Sequence, residues 1–173
     1  MRDYLTVLLF FLPAGISNMA PVIANKIPIL NKWDTPMDFG IKYKGVRLFG
    51  DNKRWRGILF GTLVAGLTAV IINKLSHETA QNYPPFYVGC ALGFGALLGD
   101  AVESFFKRIR GINPGSSWFP FDQLDYIAGG LLFAYPFAPL PVREIIAVVV
   151  VYFSLHIATA YIGYMLGLKD KPI

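Results

Sequence analysis

The sequence is poor in charged residues and nearly devoid of cysteine. Only 16% of its 173 residues are charged, whereas 54% are hydrophobic, a composition that departs strongly from that of soluble globular proteins. After Glu144 the chain carries no Asp, Glu, Lys or Arg before Lys169. An uncharged run of that length is typical of a segment that crosses a lipid bilayer. The single cysteine, Cys90, lies in an apolar stretch, which excludes a disulfide framework and a cysteine-rich metal site.

The sequence also lacks internal repeats and heptads, and its polar loops contain no Walker-type spacing or GxGxxG motif. The absence of repeats disfavours a transporter built from two related halves. The net charge of +5 is compatible with nucleic-acid binding, but the basic residues flank apolar segments, where they act as topology signals. We therefore expect contacts with membrane lipids and no nucleic-acid partner.

The apolar segments predict about five transmembrane helices, at residues 4–24, 57–75, 86–106, 125–142 and 145–168. The fourth segment contains Pro136, Pro139 and Pro141 near its end, which predicts a kink or an early stop. Apolar character continues past Pro13, so the first segment is not expected to be a cleaved signal peptide. These features predict an all-α integral membrane protein with one domain over residues 1–173.

The distribution of Lys and Arg predicts the orientation of the chain in the cell membrane. Residues 25–56 contain eight Lys or Arg, and the loop at about residues 107–124 begins with another basic cluster. The loops around residues 73–85 and 139–144 contain only one each. Since short loops rich in Lys and Arg remain in the cytosol, we expect both basic loops inside, with the N-terminus outside and the C-terminus inside.

Five polar residues near the end of the third predicted helix share one helical face, because they lie at i, i+3, i+4, i+7 and i+8: Asp100, Glu103, Ser104, Lys107 and Arg108. The simpler interpretation is a solvated helix end stabilised by local hydrogen bonds and ion pairs. However, Asp100 directly follows an apolar segment, and a carboxylate at membrane depth is costly unless a cation or a cavity receives it. This cost favours a functional interpretation.

Two further carboxylates, Asp122 and Asp125, follow a loop rich in turn residues. At the start of a helix they can act as an N-cap and a first-turn acid. Alternatively they can bind Mg²⁺ together with Asp100 if the third and fourth helices are neighbours, since Mg²⁺ prefers oxygen ligands and substrate phosphates. Both interpretations remain open. In the first basic loop, the glycines and cations can likewise either cradle phosphates or serve as a topology signal.

Residues 50–57 read Gly-Asp-Asn-Lys-Arg-Trp-Arg-Gly, and residues 99–125 contain Gly-Asp-x-x-Glu-Ser-Phe-x-Lys-Arg, Arg-Gly-Ile-x-x-Gly-Ser-Ser and Phe-Asp-Gln-Leu-Asp in that order. With the five predicted helices, this pattern resembles the CDP-archaeol synthase family, the archaeal-type branch of the membrane CTP:phosphatidate cytidylyltransferase superfamily. The resemblance covers essentially the whole chain, although Arg54 stands where a threonine is expected. The chain lacks the Pro-Gly-His-Gly-Gly run of the diacyl enzymes, which argues against phosphatidate as its substrate.

The resemblance implies an Mg²⁺-dependent enzyme of phospholipid biosynthesis that transfers CMP from CTP to 2,3-bis-O-(geranylgeranyl)-sn-glycerol 1-phosphate and releases pyrophosphate. The implied catalytic residues are Asp100, Lys107, Arg108, Asp122 and Asp125, with Asp100, Asp122 and Asp125 as metal ligands. The implied substrate-binding residues are Gly50, Asn52, Lys53, Arg56, Gly57, Ser104, Gly115, Ser116 and Ser117.

Two alternatives are a phosphatidate cytidylyltransferase acting on diacylglycerol phosphate and a small transporter. The lipid tail specificity rests on the resemblance alone, because apolar residues line diacyl and isoprenoid chains alike. Oligomeric state is open, and a homo-oligomer is compatible with the sequence. His77 and His156 are predicted to lie in an outer loop and within the fifth helix, so we expect no shared site between them and interpret His156 as a packed residue.

Overall fold

The structure is a computed structural model that describes residues 4–43, 45–50, 52–76, 83–113 and 116–167. The elements in chain order are α1 (Tyr4–Ala24), α2 (Pro28–Asn31), β1 (Lys42–Tyr43), β2 (Val46–Arg47), α3 (Trp55–Leu75), α4 (Phe86–Ile109), α5 (Phe121–Ala134) and α6 (Val142–Met165). The two short strands form an antiparallel hairpin. Helices therefore dominate the described residues, which confirms the predicted all-α class.

Four helices of the described chain, α1, α3, α4 and α6, have 21 to 24 residues and are apolar enough to cross a membrane. At 1.5 Å per residue these helices are about 32–36 Å long, which exceeds the roughly 30 Å hydrocarbon core. They correspond to the first, second, third and fifth predicted segments.

The fourth predicted segment differs from the structure at both ends. Helix α5 begins at Phe121 and ends at Ala134, so it has 14 residues and a length of about 21 Å. The prolines at 136, 139 and 141 prevent its continuation, because proline lacks the amide hydrogen and clashes with the preceding turn. Residues beyond Ala134 still pack on the core, where Leu140 is buried. The early stop was predicted, but the boundary at residue 142 was wrong.

Helix α4 occupies the centre of the fold and packs against α1, α3 and α5, whereas α6 packs at the periphery against α1 and α5. The main core contains Phe10 and Phe11 from α1, Leu92 from α4, Ile127 from α5 and Val148 from α6. The packing of α4 against α5 confirms that the third and fourth predicted helices are neighbours.

Glycines bring the backbones of α4 and α5 into direct contact. A Cβ atom added to Gly95 would lie 2.3 Å from the carbonyl oxygen of Gly129, and one added to Gly99 would lie 2.2 Å from the carbonyl oxygen of Asp125. Small residues allow this kind of close helix approach in membrane proteins. Because Gly99 precedes Asp100, the contact brings the carboxylates of Asp100 and Asp125 to the same junction.

The polar loop between α1 and α3 is folded around the buried carboxylate of Asp38. This carboxylate accepts hydrogen bonds from Arg47 Nη2 at 2.6 Å, the Gly40 amide at 3.0 Å and the Phe49 amide at 3.3 Å. Burial alone would raise the pKa of Asp38, but the bonds from Arg47 and the two amides outweigh it and hold the pKa below its ordinary value of 3.8. The ionised Asp38 thereby fixes the hairpin over the end of α4.

Candidate active site

A polar cavity of about 930 Å³ lies where the hairpin loop, the end of α4, the start of α5 and the middle of α6 meet. Nine of the residues predicted from the sequence line this cavity: Gly50, Asn52, Lys53, Asp100, Ser104, Lys107, Arg108, Asp122 and Asp125. All five polar residues of the predicted α4 face, Glu103 included, contribute to the same wall. Their shared orientation is therefore confirmed.

Arg56, predicted to bind substrate, points away from the cavity and is only 7% exposed. Its Nη1 donates to the carbonyl oxygens of Asn31 at 2.9 Å and Trp33 at 3.0 Å, and lies 2.9 Å from Asp34 Oδ1. Its Nε donates to Asn25 Oδ1 at 3.0 Å. Arg56 therefore fastens the loop after α1 to the start of α3, and its predicted substrate contact stays a prediction that this packing does not support.

Four other predicted substrate-binding residues either do not line the cavity or lie outside the described residues. Gly57 faces α1, where an added Cβ would lie 3.0 Å from Pro21 Cβ, so this glycine permits the close packing of α1 and α3. Ser116 and Ser117 are not among the residues that line the cavity, and the Ser116 amide instead donates to the Asn113 carbonyl at 3.1 Å. Gly115 lies outside the described residues.

The carboxylates that cluster in the structure differ from the three predicted metal ligands. Among the described residues, Asp100, Glu103 and Asp125 each offer an oxygen within 4.8 Å of the other two, an arrangement that can hold a metal ion. Asp122 instead lies 2.5 Å from Lys107 Nζ and accepts a hydrogen bond from the Trp118 amide at 2.9 Å. Glu103, and not the predicted Asp122, therefore completes this acidic cluster.

Asp122 is also not the N-cap that the alternative interpretation required. Helix α5 begins at Phe121, the N-cap position is Pro120, and no side chain caps this end. The bond from Trp118 nevertheless shows that Asp122 holds the preceding turn against the helix. Its role combines loop positioning with a charge partner for Lys107.

Three cations line the same cavity as the carboxylates, one from the loop before α3 and two from α4. Lys53 Nζ binds Asp100 Oδ2, while Lys107 Nζ lies 3.1 Å from Glu103 Oε1 in addition to its contact with Asp122. Arg108 Nη1 donates to the Ile112 carbonyl at 2.7 Å, and its buried Nε has no hydrogen-bond partner among the described residues. A Cβ on Gly50 would lie only 3.4 Å from that Nε, so glycine keeps the approach to this donor open.

The structure adds cavity residues that the sequence did not single out. Asn18 comes from α1, Arg47 from the hairpin and His156 from α6. The ring of His156 lies 5.7 Å from the ring of Tyr126 on α5. The packing of α6 beside α5, which brings His156 to the cavity, could not be inferred from the sequence. The predicted absence of a site shared by His77 and His156 stays a prediction, because His77 lies outside the described residues. The sequence did contain a signal for Glu103, since it lies three residues after Asp100 and therefore on the same helix face.

The arrangement suits a ligand that carries several phosphates. Carboxylate oxygens at the α4–α5 junction are the ligands that a hard divalent cation prefers, and Lys and Arg side chains from the loop and from α4 provide charge-assisted donors for phosphate oxygens. No side chain in this set is arranged as a nucleophile with an adjacent base within the described residues. Such a site favours transfer of a phosphoryl or nucleotidyl group by positioning and charge neutralisation.

The whole chain, residues 1–173, matches the protein-family model described as "CarS-like: CDP-archaeol synthase". A CDP-archaeol synthase from Pyrococcus furiosus is 34% identical over 173 residues, covering 99% of each chain. One from Thermofilum pendens is 36% identical over 171 residues, which cover 95% of this chain and 79% of the relative. A solved structure of an intramembrane enzyme for archaeal membrane lipids biosynthesis superimposes with a TM-score of 0.75 at 29% identity, covering 91% of this chain and 94% of the other.

Proposed function

The chain belongs to the CDP-archaeol synthase family, and on that premise we propose that its polar cavity transfers CMP from CTP to 2,3-bis-O-(geranylgeranyl)-sn-glycerol 1-phosphate. The products are a CDP-activated ether lipid and pyrophosphate. The observation that supports the proposal most directly is the 930 Å³ cavity, in which α4, α5 and the polar loop before α3 bring together three clustered carboxylates and several cations. Both basic loops face the cytosol, where CTP is available.

The chemistry of the donor set fits Mg²⁺. Asp100, Glu103 and Asp125 would hold the ion, since their oxygens lie within 4.8 Å of one another and Mg²⁺ binds carboxylates together with substrate phosphates. When bound, such an ion would act as a Lewis acid and neutralise part of the negative charge of the substrate phosphates. Asp122 supports this group indirectly, because it holds Lys107 beside Glu103.

The reaction requires no protein nucleophile. A phosphate monoester is largely dianionic at neutral pH, so an oxygen of the lipid phosphate attacks the α-phosphorus of CTP directly. A new phosphorus–oxygen bond forms, the bond between the α-phosphorus and the oxygen bridging to the β-phosphorus breaks, and pyrophosphate leaves with the bonding electrons. Lys53, Lys107 and Arg108 line the cavity and stabilise the charge that develops on the leaving group.

Purified protein in detergent tests the proposal when it is incubated with labelled CTP and a panel of lipid phosphates, with and without Mg²⁺. We expect label to enter the ether-isoprenoid phosphate only when Mg²⁺ is present, with pyrophosphate released in equal amount. Preferential labelling of a diacylglycerol phosphate would contradict the assigned lipid. Absence of transfer to every lipid phosphate, by a folded protein that binds CTP, would overturn the proposed reaction.

A further inference from the structure

One lysine forms an ion pair with a carboxylate that the proposed function assigns to the cation. Lys53 Nζ binds Asp100 Oδ2, and Asp100 belongs to the cluster of three carboxylates whose oxygens lie within 4.8 Å of one another. Lys53 is also close enough to Asp125, another member of this cluster, to interact with it electrostatically. Because an ammonium and a divalent cation are both positively charged, they compete for the same carboxylates.

A second lysine at the cluster is held more firmly than Lys53. Lys107 Nζ lies 3.1 Å from Glu103 Oε1 and 2.5 Å from Asp122 Oδ1. The side chain of Lys107 is 11% exposed, compared with 20% for that of Lys53. Within the described part of the chain, Asp100 is the one partner of the Lys53 ammonium. Displacing Lys53 therefore breaks one ion pair, whereas displacing Lys107 breaks two.

The backbone of Lys53 is anchored, so its ammonium can leave Asp100 while the loop stays in place. The Lys53 carbonyl oxygen accepts a hydrogen bond from the Met37 amide at 3.0 Å. Met37 is buried and packs in one cluster with Leu97 and Ala101 of α4. Four flexible methylene carbons separate the ammonium from this anchor, which lets the charged end move without unfolding the loop.

The cavity offers the displaced ammonium a second kind of partner. Lys53 lines the 930 Å³ cavity together with Arg108, whose buried Nε has no hydrogen-bond partner among the described residues. A chain of phosphates in this cavity presents oxygens to both cations, and charge-assisted hydrogen bonds to phosphate are stronger than neutral ones. Lys53 therefore has one anionic partner before a nucleotide enters and another afterwards.

We propose that Lys53 is the counter-ion of Asp100 when no divalent cation is bound, that it leaves Asp100 when a cation binds the carboxylate cluster, and that its ammonium then pairs with the phosphates of the nucleotide. The inference rests on the proposed function, because it connects the cation and the CTP of that reaction. One side chain thereby couples the two ligands. Cation binding makes a phosphate-binding group available, and by linkage nucleotide binding strengthens cation binding to the same degree.

Binding of Mn²⁺ alone, without CTP or lipid phosphate, tests this exchange in detergent-purified protein, with electron paramagnetic resonance as the measure of free Mn²⁺. We expect Lys53→Gln to bind Mn²⁺ about threefold or more tightly than wild type, because a competing cation is removed. The same variant should bind CTP more weakly at saturating Mn²⁺, because a phosphate partner is lost. Unchanged or weaker Mn²⁺ binding in Lys53→Gln would overturn the exchange.

Arg54→Gln is the matched control, since Arg54 follows Lys53 in the loop and its substitution removes the same charge. Its guanidinium lies 2.5 Å from the exposed Asp34, and Arg54 is not among the residues that line the cavity. Its Mn²⁺ affinity should stay within about twofold of wild type, because salt screens distant charges. Lys53→Arg should bind Mn²⁺ no more tightly than wild type, since a cation still reaches Asp100. Equal tightening in Lys53→Gln and Arg54→Gln would assign the effect to overall charge and refute the exchange.

Thermal unfolding gives a second readout that does not depend on turnover. Without a divalent cation, Lys53→Gln should melt below wild type, because its clustered carboxylates have lost a counter-ion. Saturating Mg²⁺ should bring the two melting temperatures together, since a ligand that binds the folded protein stabilises it. A melting temperature that stays low in Mg²⁺ would assign Lys53 to structure and contradict the exchange.

The exchange and the proposed function fail in different ways. If wild type transfers CMP but Lys53→Gln shows neither the tighter Mn²⁺ binding nor the larger stabilisation by Mg²⁺, the exchange is refuted and the proposed function stands. If both effects are present but wild type transfers CMP to no lipid phosphate, the exchange stands and the proposed function is refuted.

Discussion

At the scale of single residues, four carboxylates at the α4–α5 junction have distinct surroundings. Asp100, Glu103 and Asp125 form the compact group, whereas Asp122 contacts Lys107, the Trp118 amide and the side chain of Glu103. A metal ligand and a charge partner respond differently to the removal of one charge. Amide substitutions therefore separate the two roles while changing side-chain size very little.

We expect Asp125→Asn and Glu103→Gln to lower CMP transfer about a hundredfold or more, as loss of charge stabilisation in a transition state commonly does, and to shift the Mg²⁺ requirement to higher concentration. Asp122→Asn should lose less and keep its Mg²⁺ dependence, because an amide oxygen can still accept the Trp118 hydrogen bond. The measurement is transfer across an Mg²⁺ titration, with thermal stability in detergent as the control. A higher Mg²⁺ requirement in Asp122→Asn, but not in Asp125→Asn or Glu103→Gln, would instead identify Asp122 as the metal ligand.

Lys53 and Arg56 are close in sequence but should give different defects. Lys53→Ala removes a cation that lines the cavity, so we expect weaker CTP binding and a smaller dependence of that binding on salt. Arg56→Ala removes the side chain that holds residues 25–34, so we expect a lower melting temperature as the first effect.

Lys74→Ala is the matched control for these two variants, because Lys74 is exposed in the last turn of α3. We expect it to match wild type in CTP affinity and in melting temperature. If all three variants weakened CTP binding equally, the loop would act through overall charge, and the specific role of Lys53 would be lost.

At the scale of elements, the sequence was informative wherever one long apolar run determines a helix. Helices α1, α3, α4 and α6 followed from such runs, since a segment that crosses hydrocarbon must satisfy its backbone hydrogen bonds internally. The bounds of α5 could not be predicted from an apolar run. Its first turn, before Asp125, includes the polar residues Asp122 and Gln123, and prolines after Ala134 end it. The hairpin depends on Asp38 contacting groups up to 11 residues away, a tertiary arrangement without a periodic signal.

The candidate site was predictable to the extent that its residues lie on one helix face. Helical spacing alone predicts that Asp100, Ser104, Lys107 and Arg108 share one face, whereas their assignment to a site came from the cost of burying Asp100 and from the family resemblance. The contacts of Arg56 with the loop after α1 and the position of His156 at the cavity were not predicted, because they depend on which elements pack together, and a motif does not report that. Glu103 was interpreted only as an ion-pair partner of Lys107. A carboxylate has two oxygens, however, so Glu103 can contact Lys107 and also join the cluster of Asp100 and Asp125.

The glycine contact between α4 and α5 predicts an unusually sensitive position. In Gly99→Ala the new methyl group would meet the Asp125 carbonyl oxygen at 2.2 Å, so the helices must separate. We expect a loss of about 1–3 kcal/mol in stability, typical of overpacking, together with a fall in CMP transfer, because Asp125 moves away from Asp100.

Gly15→Ala is the comparison for Gly99→Ala, since its Cβ would meet only a side-chain carbon of Tyr152, at 3.2 Å. Thermal unfolding and CMP transfer should both be closer to wild type in this variant. Equal losses in Gly15→Ala and Gly99→Ala would show that helix crowding in general, and not the α4–α5 junction, controls activity.

At the scale of the whole molecule, the proposed orientation can be tested with cysteine labelling. Cys90 is the only cysteine, so Cys90→Ala gives a background without thiols. In that background Lys42→Cys, in the exposed hairpin, should react with a membrane-impermeant reagent only after cells are permeabilised. Lys74→Cys, at the far end of α3, should react in intact cells. Labelling of Lys42→Cys from outside would refute a cytosolic site.

The proposed reaction brings two substrates into one polar cavity from pools of different dimensionality. CTP arrives from solution, so its supply is set by molecules per unit volume. The lipid phosphate arrives from the plane of the bilayer, so its supply is set by molecules per unit area. Diluting the lipid phosphate with inert lipid at constant bulk concentration should therefore slow the enzyme, whereas adding more vesicles of the same composition should leave the rate per enzyme unchanged.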